Sequence, residues 1–279
     1  MILEPAPAKI NLALHIRARR ADGYHELETL FAFAEDGDLI TLAEAEQDSF
    51  TITGPFADAL KAGEGCHPTD NLVIRALHAF RTAFAVTAHH AITLTKNLPV
   101  ASGIGGGSAD AAATLRALAT LHAVPAKDPK LVTIAERLGA DVPACLLGET
   151  TLGTGIGTAL TAIGGARGTP LLLVNPGVAV STAAVFAGWH GEDLGPIPDG
   201  SLLDRARAAR NDLEPPARAI APVIGEVRAL LDAAPGAVLS RMSGSGATCF
   251  ALFDSIGARD AAGRTAAARG WWTLATALN

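Results

Sequence analysis

The sequence predicts an α+β protein of two domains, and three observations carry that prediction. Short strand patterns crowd the start of the chain, ahead of helix patterns separated by glycine-rich loops. Residues 169–279 then alternate strands and helices, as an α+β layer does. Residues 155–168 are rich in glycine and change composition, marking a junction without a long linker. At 279 residues the chain is long enough for two cores. The boundary is set at 158/159, giving domains 1–158 and 159–279.

Residues 8–17 alternate, with Ile10, Leu12, Leu14 and Ile16 on one face and Lys9, Asn11, Ala13 and His15 on the other, the period of a half-buried strand. Asp22-Gly23 suits a tight hairpin turn, which Tyr24 and His25 leave. Residues 27–33, 38–43 and 49–53 read as further short strands. Thr69-Asp70-Asn71 caps a helix running to Phe84, with Leu72, Ala76, Leu77 and Phe80 at helical spacing. Residues 91–95 form a strand leading into a glycine loop. Ser108 caps the helix that follows, whose buried side carries Leu115, Leu118 and Leu121. A helix at 129–138 ends at Gly139. Beyond the junction come a buried strand (171–175), a short helix holding Phe186 (181–189), a surface loop (191–200) and a helix at 215–232 with proline in its first turn. A strand (237–241), a second glycine loop (242–247), a strand (248–253), a helix (256–269) and a last strand (271–276) complete the order.

Composition limits function. Net charge is −6 with no run of Lys or Arg, which argues against nucleic-acid or anionic-membrane partners. The longest uncharged stretch, 168–191, is interrupted by Pro170, Asn175, Pro176, Gly177 and Ser181 and does not read as a membrane span. The strand pattern begins at once, so no signal or transit peptide is expected. Cys66, Cys145 and Cys249 are widely spaced with no Cys-x-x-Cys, as in a reduced, cytoplasmic protein.

The loop at 98–112 is the centre of the chemistry. Gly103, Gly105, Gly106 and Gly107 fall together, and an Ala/Leu helix starts at once. Glycine lets backbone approach a ligand closely, and a helix start offers unpaired N–H groups and partial positive charge. Together they form a phosphate cradle, although a plain flexible loop has the same composition. A P-loop is excluded, because no lysine lies between Asn97 and Lys127. A dinucleotide fingerprint counted from Gly103 fails at Ser108. Elsewhere, Lys9 is either a solvated strand lysine or a site residue. Asp141, among small apolar neighbours, is either a helix cap or a working carboxylate. Tyr24-His25 could flank a planar base or simply pack a turn.

Three separated stretches line up. Pro7-Ala8-Lys9-Ile10-Asn11-Leu12, Leu98-Pro99-x5-Gly105-Gly106-Gly107-Ser108-Ala109-Asp110-Ala111-Ala112 and Met242-Ser243-Gly244-Ser245-Gly246-Ala247 resemble the three motifs of the GHMP kinase superfamily. Arg20-Ala21-Asp22-Gly23-Tyr24-His25, Asp70-Asn71-Leu72, Leu138-Gly139-Ala140-Asp141-Val142-Pro143 and Asn211-Asp212-Leu213-Glu214 extend the resemblance over nearly the whole chain.

The resemblance implies an N-terminal ribosomal-protein-S5-like α/β domain and a C-terminal ferredoxin-like α+β domain, with the active site in the cleft between them. It implies ATP-dependent phosphorylation of the 2-hydroxyl of a cytidine diphosphate methylerythritol, on the non-mevalonate route to isoprenoid precursors. Homoserine or mevalonate kinase, or a non-catalytic nucleotide-binding regulator, are the alternatives. Carried over by position, Asp141 is the catalytic base and Lys9 its charged neighbour. Gly103, Gly105, Gly106, Gly107 and Ser108 hold the ATP phosphates, while Asn71, Lys96 and Pro99 lie around adenine and ribose. Tyr24 and Phe186 sandwich the cytosine, whose polar edge His25 reads. Asn11 and the backbone of 243–247, with Gly244, Ser245 and Gly246, meet the substrate diphosphate or the transferred phosphate. Mg2+ is implied to accompany ATP, held mainly by its phosphates in the absence of a dedicated carboxylate cage, with Ser108 or Asp110 as lesser candidates. The small-molecule substrate and ATP are the implied partners of a monomer or homodimer. The chain departs from the superfamily pattern at Thr154 and Thr158, where relatives often carry glutamates, and at Val100-Ala101-Ser102.

Overall fold

Two long strands, β1 (Ile2–Arg19) and β2 (His25–Ala45), pair with each other at the start of the chain. The computed structural model describes residues 1–61 and 70–279; Cys66 and Thr69 of the sequence reading lie outside the described residues. The chain forms two units. One comprises Met1–Ala8, Asp36–Val100 and Gly105–Gly148, the other Lys9–Glu35, Ala101–Ile104 and Glu149–Asn279. β1, β2 and the central glycine loop each run from one unit into the other.

In the first unit, β3 (Ser49–Thr53) lies parallel to β4 (His89–Thr95), which is antiparallel to the second part of β2, from Leu39↔Thr95 to Ala45↔His89. The helices are α1 (Ala57–Lys61), α2 (Leu72–Phe84), α3 (Gly106–Leu121), α4 (Pro129–Leu138) and α5 (Val142–Leu147). Asn71 caps α2 by accepting from the Val73 N–H, and α4 ends at Gly139, both as the sequence predicts. α3 is buried on nearly every side, and its alanines let neighbours approach closely.

In the second unit, the first part of β2 pairs antiparallel with β5 (Thr151–Thr154), which pairs with β6 (Ala159–Ala162). A separate antiparallel sheet runs in the order β10 (Trp272–Ala277), β7 (Pro170–Asn175), β9 (Cys249–Phe253), β8 (Ala237–Met242). Leu172, Val174, Ala251 and Phe253 of this sheet share a core with Ile224, Val227 and Leu231 of α9 (Val223–Asp232) and Ala262 and Ala266 of α10 (Ile256–Ala267). The remaining helices are α6 (Thr182–Ala187), α7 (Leu202–Ala208) and α8 (Glu214–Ile220).

The α+β class is as expected; several elements are not. β1 is buried on both faces rather than half-buried, with Lys9, Asn11 and His15 at most 3% exposed. The strands expected at 27–33 and 38–43 are one strand, because Gly37 continues it where a side chain could not. A Cβ there would sit 2.0 Å from the Ala6 carbonyl oxygen. The helix expected over 215–232 is two helices, parted at Ala221-Pro222. Proline disfavours helical backbone at the residue before it, and Ala221 turns out to φ −132°, ψ 84°. β5, β6, α5 and α7 are short and carry no clear periodic signal.

Candidate active site

Beta alternation places Lys9 and Asn11 of β1 on one face, and Thr29 and Phe31 of β2 on another. The four meet in the second unit. The Lys9 ammonium donates to Asn11 Oδ1 at 2.9 Å and lies 5.3 Å from the centre of the Phe31 ring. Asn11 Nδ2 donates to Thr29 Oγ1 at 2.7 Å, and the Thr29 hydroxyl donates to the Ala13 carbonyl at 2.7 Å. Lys9 is therefore a buried, held cation rather than a solvated one.

The second glycine loop reaches the same residues. The Asn11 N–H donates to Ser243 Oγ, whose own proton goes to the Gly103 carbonyl at 2.9 Å. Asn211 Nδ2 donates to the carbonyls of Met242 and Gly244, both at 2.8 Å, and fixes the loop from the other side. Gly244 and Gly246 both have positive φ, and Ser245 shares a hydroxyl hydrogen bond with Thr182. Gly103 is the tightest fit. Its φ is +78°, and a Cβ would lie 2.6 Å from the carbonyl oxygens of both Ser243 and Gly246.

The chain then enters the first unit. α3 begins at Gly106 with Gly105 as N-cap in the left-handed region and no side-chain cap, so Ser108 sits inside the first turn instead of capping it. The glycines take helical dihedrals themselves and start the helix two residues early. Its first N–H groups thus have neither an intrahelical partner nor a capping side chain. Under Gly106 lies a buried triad. Lys96 Nζ donates to Asp38 Oδ2 at 2.5 Å and to Asp110 Oδ2 at 2.7 Å. Asp38 Oδ1 also accepts from the N–H groups of Asn97 and Leu98, leading into the buried Pro99. Burial opposes the Lys96 charge, but Asp110 and Asp38 outweigh it and raise its pKa. Burial pushes Asp110 up to about 7; Lys96 opposes that shift and Asp38 adds to it. Among the described residues, Asp110 Oδ1 has no hydrogen-bond partner. Lys96 thus meets two carboxylates, which its expected neighbourhood of adenine and ribose did not foretell. Asp141 stands at the N-cap position of α5, half-buried, but makes no side-chain capping bond, so the helix-cap reading does not describe its carboxylate.

At the far end of β1, in the second unit, His25 begins β2 and is 8% exposed. Its ring lies 5.1 Å from Phe186, tilted by 36°, and 5.6 Å from Trp189 in an edge-on contact. Burial, then the Arg19 charge, lower its pKa and favour the neutral ring. Tyr24 is 61% exposed. Beside this cluster a cavity of about 570 Å3 is lined by Arg17, Arg19, Trp189, His190 and Asp193, among others. Sequence reading missed Trp189 and Thr29. Trp189 follows Phe186 by three residues, one helical turn, which is a usable signal; a threonine in a strand gives none.

Residues 71–149 match the family model for the GHMP kinases N terminal domain, and residues 198–270 match that for the GHMP kinases C terminal. The 4-diphosphocytidyl-2-C-methyl-D-erythritol kinase of Rhizorhabdus wittichii is 55% identical over 279 residues, covering 99% of this chain and 94% of that one. The chain belongs to the GHMP kinase family. Among solved structures, a 4-(cytidine 5'-diphospho)-2C-methyl-D-erythritol kinase is 34% identical with a TM-score of 0.84, covering 100% of this chain and 99% of that one. The mevalonate kinase of Methanococcus jannaschii, 10% identical, covers 100% of this chain and 98% of its own with a TM-score of 0.70, and shares the fold alone. In this GHMP kinase no described helix is long and apolar enough to cross a membrane.

Proposed function

We propose that this GHMP kinase transfers the γ-phosphoryl group of ATP to the 2-hydroxyl of 4-diphosphocytidyl-2-C-methyl-D-erythritol, giving the 2-phosphate and ADP, in the cytoplasm on the non-mevalonate route to isoprenoid precursors. The observation that carries the reading is the glycine-only, uncapped N-terminus of α3. N–H groups there suit phosphate oxygens and cannot ligate a metal. The Mg2+ that would accompany ATP would offset the charge of its phosphates, the triphosphate supplying most of its ligands. Gly103 to Ser108 take the ATP phosphates, with Asn71, Pro99 and the Lys96 segment toward adenine and ribose.

The chemistry asks little of the protein beyond positioning, a proton acceptor and positive charge. The 2-hydroxyl oxygen forms a bond to the γ-phosphorus as the bond to the β–γ bridging oxygen breaks. The hydroxyl proton passes to Asp141. Lys9, held by Asn11 and Phe31, supplies positive charge against the developing alkoxide. His25, Phe186 and Tyr24 receive the cytosine. A flat base suits aromatic faces, and a neutral imidazole offers its edge one donor and one acceptor. Gly244, Ser245 and Gly246, with Asn11, take the substrate's phosphates.

The test is an ADP-release assay with the cytidylyl substrate, run beside homoserine and mevalonate. Turnover with the cytidylyl compound alone is expected, and turnover only with another alcohol refutes the base-recognition reading. Asp141→Asn is expected to abolish turnover while ATP binding persists; a variant that turns over normally removes Asp141 from the mechanism.

A further inference from the structure

The Lys9–Asn11–Thr29 chain contains one residue with no role so far. Thr29 is 1% exposed and sits on β2, opposite Gly153 of β5. A hydroxyl carries a single proton, and that of Thr29 goes to the Ala13 carbonyl. Toward Asn11, therefore, Oγ1 can only accept. The amide end that meets it must be the NH2 group, as the 2.7 Å contact from Asn11 Nδ2 has it. The two ends of an amide are told apart by their partners, and fixing one end fixes the other. Asn11 Oδ1 then faces Lys9, whose ammonium has donors only. Reversed, the amide would set NH2 against NH3+ and leave two hydroxyl and carbonyl oxygens crowded at the other end.

We infer that Thr29 is a positioning residue for Lys9, its hydroxyl setting which end of the Asn11 amide the ammonium meets. The proposal rests on the reading of Lys9 given above. The strand geometry supports it from a second side. Phe31, two residues along and on the same face of β2, carries the ring against which Lys9 lies. Both side chains need Gly153 across the sheet. A Cβ there would come 2.9 Å from Phe31 Cε2 and 3.2 Å from Thr29 Cγ2. β2 thus presents a hydroxyl and a ring to the β1 residues as a fitted pair, and β5 leaves room for them.

Thr29→Val keeps the shape and removes the hydroxyl; Thr29→Ala removes it without placing a methyl against the amide; Thr29→Ser keeps it. Misplacement of a catalytic group by about 1 Å costs on the order of a hundredfold in rate. The expected result is a fall in kcat of about ten- to a hundredfold in both Thr29→Val and Thr29→Ala, KM for ATP within about twofold of the parent, and recovery in Thr29→Ser to within about threefold. A purely structural role predicts no such split between kcat and KM and no dependence on the hydroxyl. Parent-like kcat in folded Thr29→Val or Thr29→Ala overturns the proposal, as does a Thr29→Ser enzyme as slow as Thr29→Val. Lys9→Met is measured alongside. Its loss of turnover with Thr29→Val still fast overturns the role of Thr29 alone. A fully active Lys9→Met overturns the reading of Lys9, and the proposal with it.

Discussion

Tyr24 and His25 are neighbours in sequence with opposite surroundings. The tyrosine is 61% exposed and the histidine 8%. An exposed aromatic at a turn contributes little to stability and is available to a ligand, whereas His25 is fixed by Phe186 and Trp189 before any ligand arrives. Removing Tyr24 should therefore change substrate affinity and little else. Tyr24→Ala is expected to raise KM for the cytidylyl substrate about tenfold, the worth of one aromatic contact of about 1.5 kcal/mol, with KM for ATP and the melting temperature near those of the parent. An unchanged substrate KM would remove Tyr24 from base recognition. Trp189→Ala should raise the same KM and also lower the melting temperature, because its ring packs against the core of the second unit. Lys9, Asn11, Tyr24, His25 and Asp141 are candidates from the sequence because a single local motif carries each of them. Thr29 and the Asp38–Lys96–Asp110 triad are not legible there. Their partners are brought together by strand pairing and by the entry into α3, over sequence separations that no local pattern reports.

At the scale of elements, the glycine loop and α3 depend on backbone meeting backbone. Gly103 combines a φ of +78° with two carbonyl oxygens 2.6 Å from any added Cβ, and backbone oxygens cannot swing aside as a side chain can. Gly103→Ala is expected to cost about 1–2 kcal/mol from the left-handed dihedral alone, plus the displacement of residues 243–246. Its measurable mark should be a KM for ATP raised more than the melting temperature is lowered, since the loop moves before the core does; a parent-like KM for ATP counts against the loop as the phosphate cradle. Glycine runs, periodic helices and alternating strands made this architecture readable, down to the Asn71 cap and the Gly139 stop. Two of the differences share a cause, because Gly37 and Ser108 do not take their commonest roles, a break and a cap. Gly37 extends a strand because β1 passes where its side chain would be. The glycines before Ser108 join the helix rather than precede it, and Pro222, two residues after Ile220, ends one helix and begins another.

Across the whole molecule, buried titrating groups pull stability in opposite directions with pH. Burial lowers the pKa of His15, His25 and His90, so each is held neutral in the folded chain. For His90 the Arg81 charge and His122 add to the shift; Arg81 Nη2 lies 2.9 Å from its Nδ1 and His122 Nε2 lies 2.9 Å from its Nε2. The unfolded chain takes up protons at these histidines first, so their contribution is complete above the ordinary value of 6.5 and is lost as pH falls below it. Asp110 has the opposite sign. Its carboxyl is raised to about 7, mainly by burial, so the folded chain holds a proton that the unfolded chain has released. That contribution is full below the ordinary 3.8 and is lost as pH rises through about 7. The two slopes oppose each other over the same window, below about pH 7, and neither group contributes a slope above it. Asp110→Asn keeps an oxygen for Lys96 and cannot ionise. With the opposing Asp110 slope removed, its melting temperature should rise more steeply than the parent's between about pH 4 and about pH 7, and the two profiles should run parallel above that. If the two profiles run parallel between about pH 4 and about pH 7 as well, Asp110 is ionised in the folded chain over that range, with Lys96 as the cation that balances it.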